Sequence, residues 1–302
     1  MAKSANESAK SLEGKVAVVA GATRGAGRGI AVMLGEAGAT VYCTGRSVRG
    51  NLSDLNRPET VEETAEWVTA RGGRGIPVRV DHTDEHQVRQ LFERIAREQG
   101  GKLDILVNDI WGGEQLTNWN ATFWEHSLKD GLLMIDRVVK THLITSYYGV
   151  PLMIAGKSGL LVEVTDGTDY RYRGNLYYSL AKICPIHMAA AKAEALRPHN
   201  IAAVSLTPGF LRSEEMLDYY GVKEENWRDA VNSGRPHAEH FLESETPFFI
   251  GRAVAALAAD PHVMKKTGQA LSSWDLSVEY GFTDVDGRKP HWGNYTKKMG
   301  FL

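Results

Sequence analysis

Seven short, near-continuous apolar runs punctuate this chain of 302 residues: VAVVA (16–20), TVYCT (40–44), IPVRVD (76–81), LDILVN (103–108), GLLVEVT (159–165), IAAVSLT (201–207) and QALSSWDL (269–276). Runs of this kind, rich in β-branched residues and bounded by Gly or polar groups, suit strands buried on both faces. Between them, 26–37, 59–71, 84–98, 132–155, 178–196 and 248–259 carry helical spacing of apolar residues. Strand–helix alternation of this length constrains the fold to α/β: a Rossmann-type three-layer sandwich, with a seven-stranded parallel sheet and helices on both faces. No linker-like composition break interrupts the series, so 14–302 is expected to form a single domain after a polar segment, 1–13. Two stretches fall outside the alternation, 210–247 and 277–302. Loops of that length inside a compact domain usually serve as lids or extensions, and those roles are expected here.

Charge is nearly balanced, with 35 basic and 37 acidic residues. Without blocks of one sign, neither nucleic acid nor an anionic membrane surface is an expected partner, and a small molecule is. No stretch approaches the roughly 20 apolar residues of a membrane span, and 1–13 lacks the apolar core of a secretory signal. The two cysteines, Cys43 and Cys184, sit in apolar surroundings without metal-type spacing, so no metal site is expected. Two reduced thiols favour a reducing compartment, the cytoplasm.

After the first run comes GATRGAG, with Gly21, Gly25 and Gly27, leading into a helical stretch. Glycines at such a turn allow a sharp reversal, let backbone N–H groups approach a pyrophosphate and aim a helix N-terminus at it. The second run ends in CTGR, placing Arg46 where a nucleotide ribose would lie, with no acidic residue there to hold a free 2′-hydroxyl. Arg24, inside the turn, reaches the same region. Two guanidiniums can grip a 2′-phosphate, which favours NADP(H) over NAD(H).

In NLYYSLAK (175–182), helical geometry brings Tyr178 and Lys182, four apart, onto one face, and turns Tyr177 away. An ammonium about 4 Å from a phenol, at an effective dielectric of about 20, stabilises the phenolate by roughly 4 kcal/mol before desolvation. The expectation is therefore a phenol acidified by Lys182, able to trade a proton with a carbonyl or alcohol oxygen near neutral pH. Tyr219 and Lys223 share the spacing but span Gly221, far from any strand end.

GATRGAG, Asn108 in LVND, the YSLAK run and Pro208–Phe210 together resemble the short-chain dehydrogenase/reductase family, and its carbonyl-reductase branch, over about residues 14–276. That resemblance implies that Tyr178 is the proton donor and that Lys182 lowers its pKa and holds the nicotinamide ribose. Thr165 then occupies the place of the hydroxyl that orients the substrate oxygen. His142 aligns with a family Asn that holds a relay water, and two roles stay open for it: a relay through its ring, or a core histidine. Cofactor contacts are implied at Gly21, Thr23, Arg24, Gly25, Ala26 and Gly27 in the turn, and at Arg46. Further contacts are implied for Asp81, which meets the adenine, for its neighbour His82, for Asn108, for Pro208, Gly209 and Phe210, and for Ser213, near the carboxamide. An aromatic lid over the substrate is expected from Phe210, Tyr219, Tyr220 and Trp227, with Trp111, Tyr170, Tyr172 and Tyr177 on the opposite wall. The implied activity is NADP(H)-dependent interconversion of a small carbonyl compound and its alcohol by a homodimer or homotetramer, with the tail at 277–302 reaching a neighbouring subunit. A dinucleotide-binding regulator or scaffold that has lost turnover is the alternative.

Overall fold

The apolar runs do form strands: those at 16–20, 40–45, 105–108, 159–164 and 201–207 are walled in on both faces, while the edge strand at 74–79 is covered only in part. The computed structural model describes residues 10–301; the expected polar segment 1–13 falls largely outside them. Strands β1 (Val16–Ala20), β2 (Thr40–Gly45), β3 (Arg74–Arg79), β4 (Ile105–Asn108), β5 (Gly159–Val164), β6 (Ile201–Thr207) and β7 (Ala270–Ser272) make one sheet. Its order is β3-β2-β1-β4-β5-β6-β7 and every pairing is parallel. Val18 and Val19 of β1 are both fully buried although they face opposite sides, as a strand covered twice requires.

Helices α1 (Gly25–Glu36), α2 (Val61–Ala70), α3 (Glu85–Glu98), α4 (Leu128–Ile135), α5 (Thr141–Gly156), α6 (Leu176–Leu196), α7 (Glu214–Tyr220), α8 (Pro247–Ala259), α9 (Ser273–Tyr280) and α10 (Trp292–Lys298) complete the chain. Two packed cores result. One joins β1 and β6 to α1 and α8, with Ile30, Leu34, Ile250 and Val254 at its centre. The other joins the opposite sheet face to α3 and α5 through Leu91, Phe92, Leu106 and Met153.

Two elements differ from expectation. The run at 269–276 is a strand only to Ser272, whose hydroxyl accepts the Asp275 N–H and so starts α9; a side-chain cap overrides weak strand propensity. The helical stretch expected at 132–155 begins at Leu128, and a π-helical turn at Asp136–Lys140 joins α4 to α5. Such turns are local and leave no sequence period. Cys43 and Cys184 are free thiols. No helix among the described residues is long and apolar enough to cross a membrane.

Candidate active site

Strand order reverses between β1 and β4, and a cavity of about 240 Å³ opens at the carboxyl ends of the strands there. Crevices at such switch points collect ligands in parallel sheets. Gly21, Thr23, Arg24, Gly25 and Ala26 form one wall. Gly21 has φ +93°, and a Cβ on it would lie 2.2 Å from the Asp109 carbonyl oxygen; only glycine permits the turn. Gly27 lies behind this wall, where a Cβ would meet the Gly21 carbonyl oxygen at 2.2 Å. Gly27 therefore shapes the turn without facing the cavity.

The N-terminus of α1 already holds an anion. The Gly25 N–H donates to the Glu214 carboxylate of α7 at 2.8 Å. A backbone N–H at this turn thus has a carboxylate oxygen as its acceptor, and a helix N-terminus that accommodates an anionic oxygen fits the phosphate group the sequence implies. Arg46 lies on the rim and pairs with Asp54 at 2.8 Å, while Arg137 bonds the other Asp54 oxygen and donates to the Gly112 carbonyl at 2.5 Å. Partial burial works against Asp54 ionising, but the Arg137 hydrogen bond and the Arg46 charge prevail and hold its pKa below the ordinary range. Asp54 and Arg137, one in the 47–59 loop and one in the π turn, were not marked by any motif.

Asp81 and His82 also line the cavity, beyond the end of β3. Both nitrogens of the buried His82 ring are engaged, by Thr44 Oγ1 at 2.8 Å and Thr145 Oγ1 at 2.8 Å. Burial pushes its pKa down to about 3, so the ring braces the wall as neutral imidazole. Pro208 and Ser213 line the far side. Gly209 and Phe210 do not reach it: the Gly209 N–H is bonded by Glu245 at 2.9 Å, and Phe210 stacks edge-on against Phe241 and Trp292.

Tyr178 and Lys182 do share one face of α6, but their charges are not arranged as expected. Lys182 lines the cavity with Nζ 3.9 Å above the Trp111 ring and 5.7 Å from the centre of the Tyr178 ring. Trp111 and Trp119 pack edge-on to Tyr178, with centroids at 5.6 and 4.9 Å. The Tyr178 hydroxyl donates to Asp166 Oδ2 at 2.9 Å. Burial and the Asp166 charge raise the Tyr178 pKa well above its ordinary value, which corrects the expectation of an acidified phenol. Burial also lowers the Lys182 pKa, against the pull of Asp166 and Asp109. Thr165 lines the cavity, yet its hydroxyl donates to the Lys182 carbonyl oxygen. In this geometry it braces α6 and is not free for a substrate oxygen.

His142 and Asn108 lie beneath the cavity floor in a buried polar network. His142 Nδ1 bonds Glu163 Oε2 at 2.7 Å, and Lys192 Nζ bonds Glu163 Oε1 at 2.5 Å. Asn108 donates to Glu163 at 3.1 Å and to Ser146 at 3.0 Å. Burial alone would raise the Glu163 pKa, but Lys192 and His142 hold it well below its ordinary value. His142 is buried and bonded to a carboxylate, and its Nε2 has no partner among the described residues.

The aromatic residues of the insertion pack differently from expectation. Tyr220, Trp227 and Phe241 build a small core of their own, while Tyr219, Tyr170 and Tyr172 are exposed. Tyr177 packs on His126, and of the expected opposite wall only Trp111 reaches the cavity. Within its own chain the tail meets the insertion: Tyr295 Oη bonds His240 at 2.7 Å, and Trp292 packs edge-on against Phe210.

A family model described as short chain dehydrogenase matches residues 15–221. The chain is 37% identical over 281 residues to Dehydrogenase/reductase SDR family member 1 of Mus musculus, covering 92% of this chain and 85% of that protein. It is 28% identical over 228 residues to the 3-oxoacyl-[acyl-carrier-protein] reductase FabG of Aquifex aeolicus, covering 74% and 85%. Among solved structures, a short chain dehydrogenase from Mycobacterium thermoresistibile superposes with a TM-score of 0.76 at 23% identity, covering 93% and 92% of the two chains. The fold, the glycine turn at the sheet's switch point and these matches together make the chain a member of the short-chain dehydrogenase/reductase family, oxidoreductases that work with a nicotinamide dinucleotide.

Proposed function

We propose that this protein is an NADP(H)-dependent oxidoreductase acting on a carbonyl compound and its alcohol, with Tyr178 as the group that moves the proton. The observation that carries the reading is that Lys182 lines a cavity whose glycine turn offers the Gly25 N–H to an anionic oxygen, while Tyr178, one turn earlier on α6, packs edge-on to the cavity-lining Trp111. When bound, the reduced dinucleotide supplies a hydride to the carbonyl carbon. Gly25 and the α1 N-terminus hold its pyrophosphate, Arg24 and Arg46 its 2′-phosphate, and Lys182 its nicotinamide ribose. Tyr178, kept protonated by Asp166, gives its phenolic proton to the carbonyl oxygen, and Lys182 supports the phenolate left behind. The segment 210–247 forms the lid side of the site, since its helix α7 lays Glu214 on α1. Exposed Leu132, Leu143, Tyr147 and Leu180, on α4 to α6, support association into a homodimer or homotetramer.

A second reading of the cofactor rests on Asp54. This carboxylate already occupies Arg46 and Arg137 and could accept the hydroxyls of an unphosphorylated ribose, as NAD(H) requires. Fluorescence titration separates the two. NADPH is expected to bind at least about tenfold more tightly than NADH, and Arg46→Ala to erase most of that margin, one charge-assisted contact being worth about 1.5–3 kcal/mol. Tighter binding of NADH overturns the NADP(H) assignment.

Binding is also expected to depend on pH. Asp109 lines the cavity, and burial pushes its pKa up to about 7, only partly offset by Lys182 and the Gly27 N–H. Neutral below that pH and anionic above it, Asp109 tolerates an anionic ligand better when protonated. Dinucleotide affinity should therefore fall as pH rises through about 7, by up to about tenfold for each pK unit of coupling. Titrations from pH 6 to 8.5 check this, and Asp109→Asn should flatten the profile.

A further inference from the structure

We propose that Asp166 selects substrates carrying a hydrogen-bond donor, a hydroxyl or an amine N–H, on the carbon next to the reacting carbonyl. The inference rests on the reading of Tyr178 as proton donor and adds the substrate class.

Two neighbours at the end of β5 compete for the position facing Tyr178. Thr165 is buried, with its hydroxyl spent on the Lys182 carbonyl oxygen. Asp166 takes the position instead, accepting from the Tyr178 hydroxyl at 2.9 Å with half of its side chain open to solvent. The substitution of carboxylate for hydroxyl changes the chemistry. Where a hydroxyl can donate to a carbonyl oxygen, an ionised carboxylate only accepts. A plain ketone placed on Tyr178 brings nothing that the acceptor oxygens of Asp166 can bond. A ketone with a donor on the adjacent carbon meets a partner: its carbonyl oxygen takes the Tyr178 proton while its donor reaches Asp166. The 2.9 Å between the Tyr178 and Asp166 oxygens matches the short span between the two oxygens of an eclipsed α-hydroxy ketone.

The carboxylate is held ready for this role. Arg173 ties the 166–173 loop by donating to the backbone carbonyls of Asp166 at 2.8 Å, Arg171 at 2.8 Å and Asp169 at 2.7 Å. The Gly167 N–H is fixed to Thr207 Oγ1 at 2.8 Å. The guanidinium itself stays 3.9 Å from Asp166 Oδ2, beyond hydrogen-bond reach, so the remaining lone pairs are left for a ligand. A fixed acceptor of this kind discriminates strongly, because nothing moves to relieve an unmatched partner.

The test compares 2-hydroxyacetophenone with 2-methoxyacetophenone, which share the activating oxygen but differ in the donor; the aryl group suits the tryptophans beside Tyr178. Wild-type kcat/KM with NADPH is expected to favour the hydroxy ketone by about 10- to 100-fold. Asp166→Ser should bring the ratio to within about threefold, and Asp166→Asn, which keeps a neutral acceptor, should give an intermediate ratio. NADPH binding reports that each variant is folded, and the Asn variant carries the test if the Ser variant is not. A wild-type ratio near one, or a ratio unchanged in the folded variants, overturns the role of Asp166 alone. Failure of NADPH-bound wild type to reduce either ketone instead overturns the reductase reading, and the inference with it.

Discussion

Tyr178→Phe is expected to lower kcat by about a hundred- to ten-thousandfold, the usual worth of a positioned acid or base, while dinucleotide binding is retained. The ring stays between Trp111 and Trp119, so only the hydroxyl is lost. Asp166, half open to solvent, hydrates when its partner goes, and the fold has little to lose. Single-turnover reduction followed by nicotinamide absorbance, beside a titration of cofactor binding, checks both halves. Near-normal turnover in the variant removes Tyr178 from the chemistry. Binding without turnover in the wild type, across ketones and aldehydes, favours instead a dinucleotide-binding regulator on the same fold.

Lys192→Met is expected to cost about 3–5 kcal/mol of stability, the penalty for stripping the partner from a buried charge. Glu163 is fully buried, and Lys192 reaches it from α6 with only 15% of its side chain exposed. Without the ammonium, the His142 ring and the Asn108 amide are the partners left to the carboxylate. The sign with pH follows from the depressed Glu163 pKa. Stability from the pair is fully present above the unfolded carboxylate pKa of about 4.5 and is lost as pH falls toward the lower folded value. Lys192→Met should therefore unfold at lower urea at pH 7 and show a shallower further loss on acidification. Glu163→Gln combined with Lys192→Met, which removes both charges, should recover part of the loss. Equal stability of wild type and Lys192→Met by urea denaturation counts against the network as a structural element.

The sequence alone determined the central strands of the sheet, because strands buried on both faces must read as continuous apolar runs and leave no alternative period. It determined the glycine turn as well, since backbone that close to another chain segment excludes any side chain. The choice of Tyr178 over Tyr177 needed only the pitch of a helix. Charge pairing was decided elsewhere. Glu163 was readable as an anomaly, a carboxylate inside an apolar strand that had to find a cation, but its partner Lys192 lies 29 residues along the chain. Asp54 and Arg137, 83 residues apart, meet beside Arg46 and change what that arginine offers a ligand. The acidity of Tyr178 depended on burial and on Asp166 coming within 2.9 Å of its hydroxyl, neither of which residue spacing on one helix fixes. Local periodicity records which way a side chain faces its own element; electrostatics depends on which charges other elements bring within a few ångströms, and only the packed structure decides that.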